Sequence, residues 1–302
     1  MGTTWSARIV VGEAANTAAL HAAIEAALAA VVAEMSDWEP DSAISRFNRA
    51  PAGSWHELPP AFFAVLDHGL ALAAATDGAY DPTAGRIVDA WGFGPTPAAA
   101  PPPADADLAA ARAASGWQRL AVDRARRAVQ QPGGLRLDLS SIAKGHGVDA
   151  AAAAIRAAGL EHFLMEVGGE LVGAGVKPDG TPWWVEIETP PGLAARPIVA
   201  ALHGLAIATS GNYRRFVEIG GRRYAHTLDP RSGQPVDNGL ASVTVLHPSC
   251  MAADALATAL TVLGPEAGLA FASVRGIAAH FVVDQGGGAH ERLTPAFGAM
   301  LD

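Results

Sequence analysis

Phe163-Leu-Met-Glu-Val-Gly-Gly-Glu-Leu-Val-Gly-Ala-Gly175 sets two short apolar runs on either side of a glycine pair. Short apolar runs bounded by glycine read as strands, and so brief a connection favours antiparallel pairing. Gly168 and Gly169 read first as a bulge that bends the pair and second as a ligand contact. Either way Glu166 and Glu170 come close to the chain reversal. More short strands follow at 183–188, 197–202, 206–209, 214–219, 222–226 and 242–246, with Gly220-Gly221 marking a hairpin. Strands gathered in runs, rather than alternating with helices, predict an α+β fold of antiparallel sheets packed with helices.

Upstream, the pattern predicts a strand over 5–12, an Ala-rich helix over 16–34, a polar structured loop over 35–48, and helices over 60–76 and 82–91. A Pro/Ala-rich stretch at about 95–105 reads as an extended surface loop. A helix over 105–115, short strands at 119–123, 126–130 and 135–137, and a helix over 142–158 complete the middle of the chain. Downstream come helices over 250–262 and 265–273 and a strand over 277–283.

The 302 residues are half hydrophobic, enough for a sizeable core. Thirty acidic against 21 basic residues, with no long basic run, argue against a nucleic-acid partner. The one cysteine, Cys250, excludes an intrachain disulfide and reads as a small packing group. The apolar stretches are interrupted by Gly, Pro or charge, so no bilayer span is expected.

Five polar clusters carry candidate chemistry. Asp254 and Thr258, four residues apart on an apolar helix, share a face. They read either as half of a Mg²⁺ site completed by phosphate oxygens or as a first-turn Asp beside a Thr bonded back to its own helix. In Leu137-Asp-Leu-Ser-Ser-Ile-Ala-Lys-Gly-His-Gly-Val-Asp149, Ser140 or Ser141 is positioned to cap a helix whose N–H groups, with Lys144, face a phosphate. Glycines so early in a helix cost stability, which implies a close approach to the backbone. Tyr80, Trp91 and Phe93, in Gly78–Gly85 and Trp91–Gly94, form either a wall for a flat ring or plain core. The Glu166–Glu170 turn is the fourth cluster. Thr209–Arg215 and Arg223–Gly233 form the last; there His226 precedes an Asp-Pro turn, and an imidazole of ordinary pKa near 6.5 suits general-base work.

In order along the chain, Met1-Gly-Thr, Met35-Ser-x-Trp-x-Pro-Asp-Ser-x-Ile-Ser-Arg-Phe-Asn48, Tyr80-Asp-Pro-Thr-x-Gly85, Trp91-Gly-Phe-Gly94, Asp138-Leu-Ser-x-Ile-Ala-Lys-Gly145, Glu166–Glu170, Thr209-Ser-Gly211, His226-x-x-Asp-Pro230 and Ala253–Thr258 resemble the ApbE family, the FAD:protein FMN transferases. The resemblance implies one domain of tunnelling-fold type over 1–302. It implies Mg²⁺-dependent transfer of the FMN half of FAD to a Thr or Ser hydroxyl of an acceptor flavoprotein, with release of AMP. The implied metal ligands are Asp254, Thr258 and the backbone carbonyl at Ser141. The implied FAD contacts are Met1, Trp38, Ala79, Tyr80, Asp81, Asp138, Lys144 and Leu228, with His226 as the active-site histidine. Two other outcomes stay open at this level: an Mg²⁺-dependent FAD pyrophosphatase giving FMN and AMP, and an FAD-binding protein without turnover. With no leader ahead of Met1-Gly-Thr, a cytoplasmic protein is expected from the chain as written, or a periplasmic or anchored one if the chain is trimmed.

Overall fold

The computed structural model describes residues 3–12, 16–96, 102–194, 197–286 and 288–301. The chain divides into two compact units that interleave in sequence: residues 1–30, 141–213 and 238–302, and residues 31–140 and 214–237.

The first unit is built on a seven-stranded antiparallel sheet in the order Trp5–Ile9, Phe163–Val167, Glu170–Ala174, Leu205–Gly211, Leu240–His247, Ala278–Asp284, Ala289–Leu293. One face takes Phe163, Met165, Val167 and Val172 against helix residues Leu20, Ile24, Leu28, Val148, Ala151 and Ile155. The other takes Leu164, Ile207 and Leu246 against Trp183, Ala200 and Leu202 of a separate hairpin and against Phe297. Strand side chains alternate between faces, so each apolar run of the sequence covers both layers. This is the α+β arrangement expected.

The glycine pair at 168–169 is not a bulge. Val167 pairs directly with Glu170, and both glycines take positive φ, 63° and 104°, which makes a two-residue hairpin turn. Gly220-Gly221 does the same between Ile219 and Arg222. Glu170 therefore shares the helix-covered face with Val167, and Glu166, opposite Leu171, points to the other.

Helices Ala143–Ala157 and Cys250–Val274 lie against the sheet and cap each other. Asp149 on the first accepts from the N–H groups of Cys250 (2.9 Å) and Met251 (3.0 Å) and from the Ser249 hydroxyl (2.8 Å). Asp254 on the second accepts from the N–H of Gly145, 2.9 Å away. Each carboxylate thus satisfies the orphan donors of the other helix and meets the positive end of its dipole. Only glycine permits this approach: a Cβ at Gly145 would stand 2.6 Å from the Cys250 carbonyl carbon and 2.9 Å from the Asp254 Cβ. The early glycine answers to a neighbouring helix, not to a ligand. Neither Ser140 nor Ser141 is the cap. The helix begins at Ala143 after Ile142, without a side-chain cap, and Ser140 N–H is held by Asp138 Oδ1 (2.8 Å) in the turn before it.

The Cys250–Val274 helix breaks at Gly264 (φ 83°, ψ 176°) before Pro265, so the two helices expected there run end to end across a kink. Thr17–Met35 and Cys250–Val274 are long and apolar enough to cross a membrane by length and composition alone, as buried core helices also are, and more than half of the second is buried. Cys250 is fully buried, as expected, and burial pushes its thiol well above the ordinary range.

The second unit holds helices Pro60–Ala75, Gly85–Ala90 and Asp105–Ala114 and a three-stranded sheet of Trp55–Glu57, Ala128–Gln130 and Ala121–Asp123. The segment expected as a loop over 35–48 contains a helix, Ala43–Asn48, capped by Ser42 Oγ on Ser45 N–H (3.1 Å). The strand expected at 135–137 reduces to a single bridge between Ala84 and Arg136. Residues 97–101 of the loop expected at 95–105 lie outside the described residues. An acidic group surrounds Arg136, whose Nε lies 3.1 Å from Asp89 Oδ2. Burial and the nearby charge of Asp138 push Asp37 up from 3.8 to about 7, against the pull of Arg136.

Two outcomes are expected. Gly145→Ala lowers unfolding free energy by about 1–3 kcal/mol, the usual range for overpacking, read from urea midpoints; an unchanged midpoint refutes the close approach. Because the raised pKa of Asp37 makes the fold bind a proton that the unfolded chain releases, wild-type stability falls as pH rises from 3.8 to about 7. The melting temperature of Asp37→Asn therefore gains on that of wild type over this window and holds its lead above it. A constant difference contradicts the assignment.

Candidate active site

In the first unit, Lys144, Glu170 and Asp254 meet. Lys144 Nζ lies 2.5 Å from Glu170 Oε1 and 3.4 Å from Asp254 Oδ1. The two carboxylate side chains are only 6% and 7% exposed, and Lys144 is 34% exposed. Lys144 comes from the first turn of its helix and Glu170 from the strand just after the hairpin turn. Asp254 is fixed by its bond to Gly145, which leaves Oδ1 toward the ammonium. Glu170 Oε2 is buried without a hydrogen-bond partner among the described residues. Burial works against the Lys144 charge, but Asp254 and Glu170 outweigh it and hold the ammonium protonated. Burial pushes Glu170 up to about 7, opposed by Lys144. Two carboxylates and one ammonium leave the cluster with a net charge of −1.

Thr258 stands one turn beyond Asp254, half-buried, and Ser141 lies two residues before the helix that carries Lys144. Among the described residues no three His, Cys, Asp or Glu groups gather as a metal cage. A cation here must draw on hydroxyl, carbonyl and substrate oxygens as well as carboxylate.

In the second unit, His226 follows strand Arg222–Ala225, and its Nδ1 lies 2.9 Å from the Arg215 carbonyl oxygen. A carbonyl only accepts, so the proton sits on Nδ1 and the basic lone pair on Nε2. The ring packs edge-on to Phe93, and Arg215 clasps the same residue, donating to its carbonyl (2.6 Å) with the guanidinium over its ring.

Asp138 and the Tyr80–Pro82 segment are held together by Asp138 N–H donating to Pro82 O (2.9 Å). Asp81 is heavily engaged: Oδ1 accepts from the N–H (2.8 Å) and hydroxyl (2.6 Å) of Thr83, and Oδ2 from Trp117 N–H (3.1 Å). Ala79, Tyr80 and Leu228 are buried, whereas Trp38 is 59% exposed. Trp91 and Phe93 are core with Leu228, and the Trp91 indole donates to Gly233 O. Of the two readings of that cluster, packing holds for this pair. Met1 lies outside the described residues.

Three residues escaped the sequence reading: Asp149 as a cap, Asp37 beside Asp138, and Glu170 as partner of Lys144. Only Glu170 left a trace, because the hairpin's pairing parity fixes its face once both glycines are read as turn residues.

Comparison with known proteins bears on the whole chain. The ApbE family profile matches residues 1–281. The chain is 36% identical to the FAD:protein FMN transferase of Vibrio cholerae, covering 100% of this chain and 90% of that protein, and 35% identical to that of Haemophilus influenzae with the same coverage. Among solved structures, the apo flavinyl transferase ApbE of Pseudomonas stutzeri superposes with a TM-score of 0.91 at 41% identity, covering 99% of this chain and 94% of that one. The flavin transferase ApbE from Vibrio cholerae gives 0.90 at 36% identity, covering 99% and 96%. With one fold, one family profile and full-length relatives in agreement, this chain belongs to the ApbE family.

Proposed function

We propose that this protein transfers FMN from FAD to a Thr or Ser hydroxyl of an acceptor flavoprotein, in a Mg²⁺-dependent reaction that releases AMP. The full-length similarity to proteins named FAD:protein FMN transferase supports the substrate and the reaction. The observation that carries the metal dependence is the buried, net-negative cluster of Glu170, Asp254 and Lys144.

That cluster fits a hard divalent cation: its donors are oxygens, its charge is negative, and a buried carboxylate oxygen lacks a hydrogen-bond partner among the described residues. Asp254, Thr258 and the Ser141 carbonyl would hold it. A Mg²⁺ held there would supply charge neutralisation on the pyrophosphate and so favour in-line displacement. Lys144 carries a second positive charge for the same phosphates. Trp38 offers an exposed aromatic face, and Ala79, Tyr80, Asp81, Asp138 and Leu228 hold the remainder of FAD.

His226 Nε2 accepts the proton of the acceptor hydroxyl, while the Arg215 carbonyl keeps Nδ1–H in place and stabilises the imidazolium that forms. The hydroxyl oxygen bonds to the FMN phosphorus as the bridging P–O bond breaks, and AMP departs with the bridging oxygen. Most of the rate acceleration comes from positioning and electrostatics, with little covalent work left to the protein.

Incubation with FAD, Mg²⁺ and a flavoprotein carrying a candidate Thr or Ser is expected to add the mass of FMN to the acceptor and release one AMP per modification. AMP accumulating beside an unmodified acceptor would instead establish a pyrophosphatase, and FAD retained without AMP a binding protein. His226→Gln is expected to slow transfer by about 10²–10⁴-fold, the scale of a lost general base, with FAD affinity little changed. Unaltered rates in that variant rule out the proton-transfer role.

A further inference from the structure

We infer that Lys144 is the resident counter-cation of the Asp254 site and that Glu170 is the positioning residue that holds it there. The inference rests on the reading that Asp254 ligates the divalent cation. That cation then enters by displacing an ammonium, not by meeting bare carboxylates.

Two carboxylates this buried would each cost several kcal/mol without a counter-ion, and Lys144 is the cation beside both. The contacts are unequal. At 2.5 Å from Glu170 Oε1 and 3.4 Å from Asp254 Oδ1, the ammonium is hydrogen-bonded closely to one carboxylate and leans on the other. Lys144 is a third exposed on a flexible four-carbon stem, so it can withdraw from Asp254 while keeping Glu170. Asp254 cannot follow, because Gly145 N–H holds its Oδ2. Oδ1 is therefore the position at which the two cations compete.

The competition sets when the divalent cation binds. With it in place beside Lys144, three positive charges face two carboxylates, an excess of one that the two negative charges of an FAD pyrophosphate more than offset. Without FAD the lysine opposes the cation; with FAD the same lysine has a phosphate to pair with. Glu170 keeps the ammonium close enough to serve both states.

The test uses FAD-free protein and Mn²⁺ as the probe, with binding read by electron paramagnetic resonance. Lys144→Met is expected to bind Mn²⁺ at least about tenfold more tightly than wild type, since removing a like charge a few ångströms away is worth more than about 1.4 kcal/mol at intermediate dielectric. Its melting temperature should fall without Mn²⁺ and recover with it. Affinity equal to or weaker than wild type overturns the inference. In Lys144→Met/Asp254→Asn the gain should vanish; if it persists, the cation-site reading at Asp254 is at fault.

A second measurement needs no lysine variant. The chain has two lysines, Lys144 and Lys177, so amine acylation followed by mass spectrometry reads Lys144 against an internal control. Mn²⁺ should raise Lys144 labelling in wild type several-fold and leave Lys177 unchanged. Glu170→Gln should raise Lys144 labelling without Mn²⁺, an effect that loss of packing alone would spread to Lys177. Labelling of Lys144 that responds to neither refutes the exchange and the positioning role of Glu170.

Discussion

Two helices that cap one another across a single glycine hold the first unit in register. Asp149 closes the start of one and Asp254 the start of the other, and the absence of a side chain at Gly145 sets their separation. Everything at the candidate cation site inherits its place from that exchange. Asp254 is pinned by one oxygen, which frees the other to face Lys144, and Lys144 sits beside Gly145 on the same turn. A residue proposed to act on a ligand is thus first a structural cap. Its two oxygens divide the two tasks.

The hairpin at Gly168-Gly169 supplies the third member. Because a sheet's side chains alternate, a bulge in place of the observed two-residue turn would have sent Glu170 to the face covered by Trp183 and Leu202. The turn sends it toward the helices instead. A local backbone choice made by two glycines decides whether the cluster has one carboxylate or two.

The same example marks the limit of what the sequence discloses. Strand runs, the Gly220-Gly221 hairpin and the break before Pro265 were legible because period and turn chemistry are local properties. The family motifs made Asp254, Lys144 and His226 legible as candidates. Reciprocal capping was not, since Asp149 and Cys250 are 101 residues apart and nothing in either neighbourhood names the other. The helix Ala43–Asn48 was hidden by its short length within a polar segment, where a Ser cap and one turn of apolar spacing look like loop chemistry. The anchoring of His226 by the Arg215 carbonyl was equally out of view, because a backbone acceptor leaves no signature in residue identity.

The pairing of Trp5–Ile9 with Phe163–Val167 bears on biosynthesis. After making this strand, a ribosome adding about 5–20 residues per second needs roughly 10–30 s to deliver its partner. For that interval the segment has no sheet to join and presents unpaired backbone donors and acceptors to its surroundings. The second unit contributes much of the intervening chain. Closure of this sheet waits on the intervening unit, and until then the unpaired strand is open to misassembly.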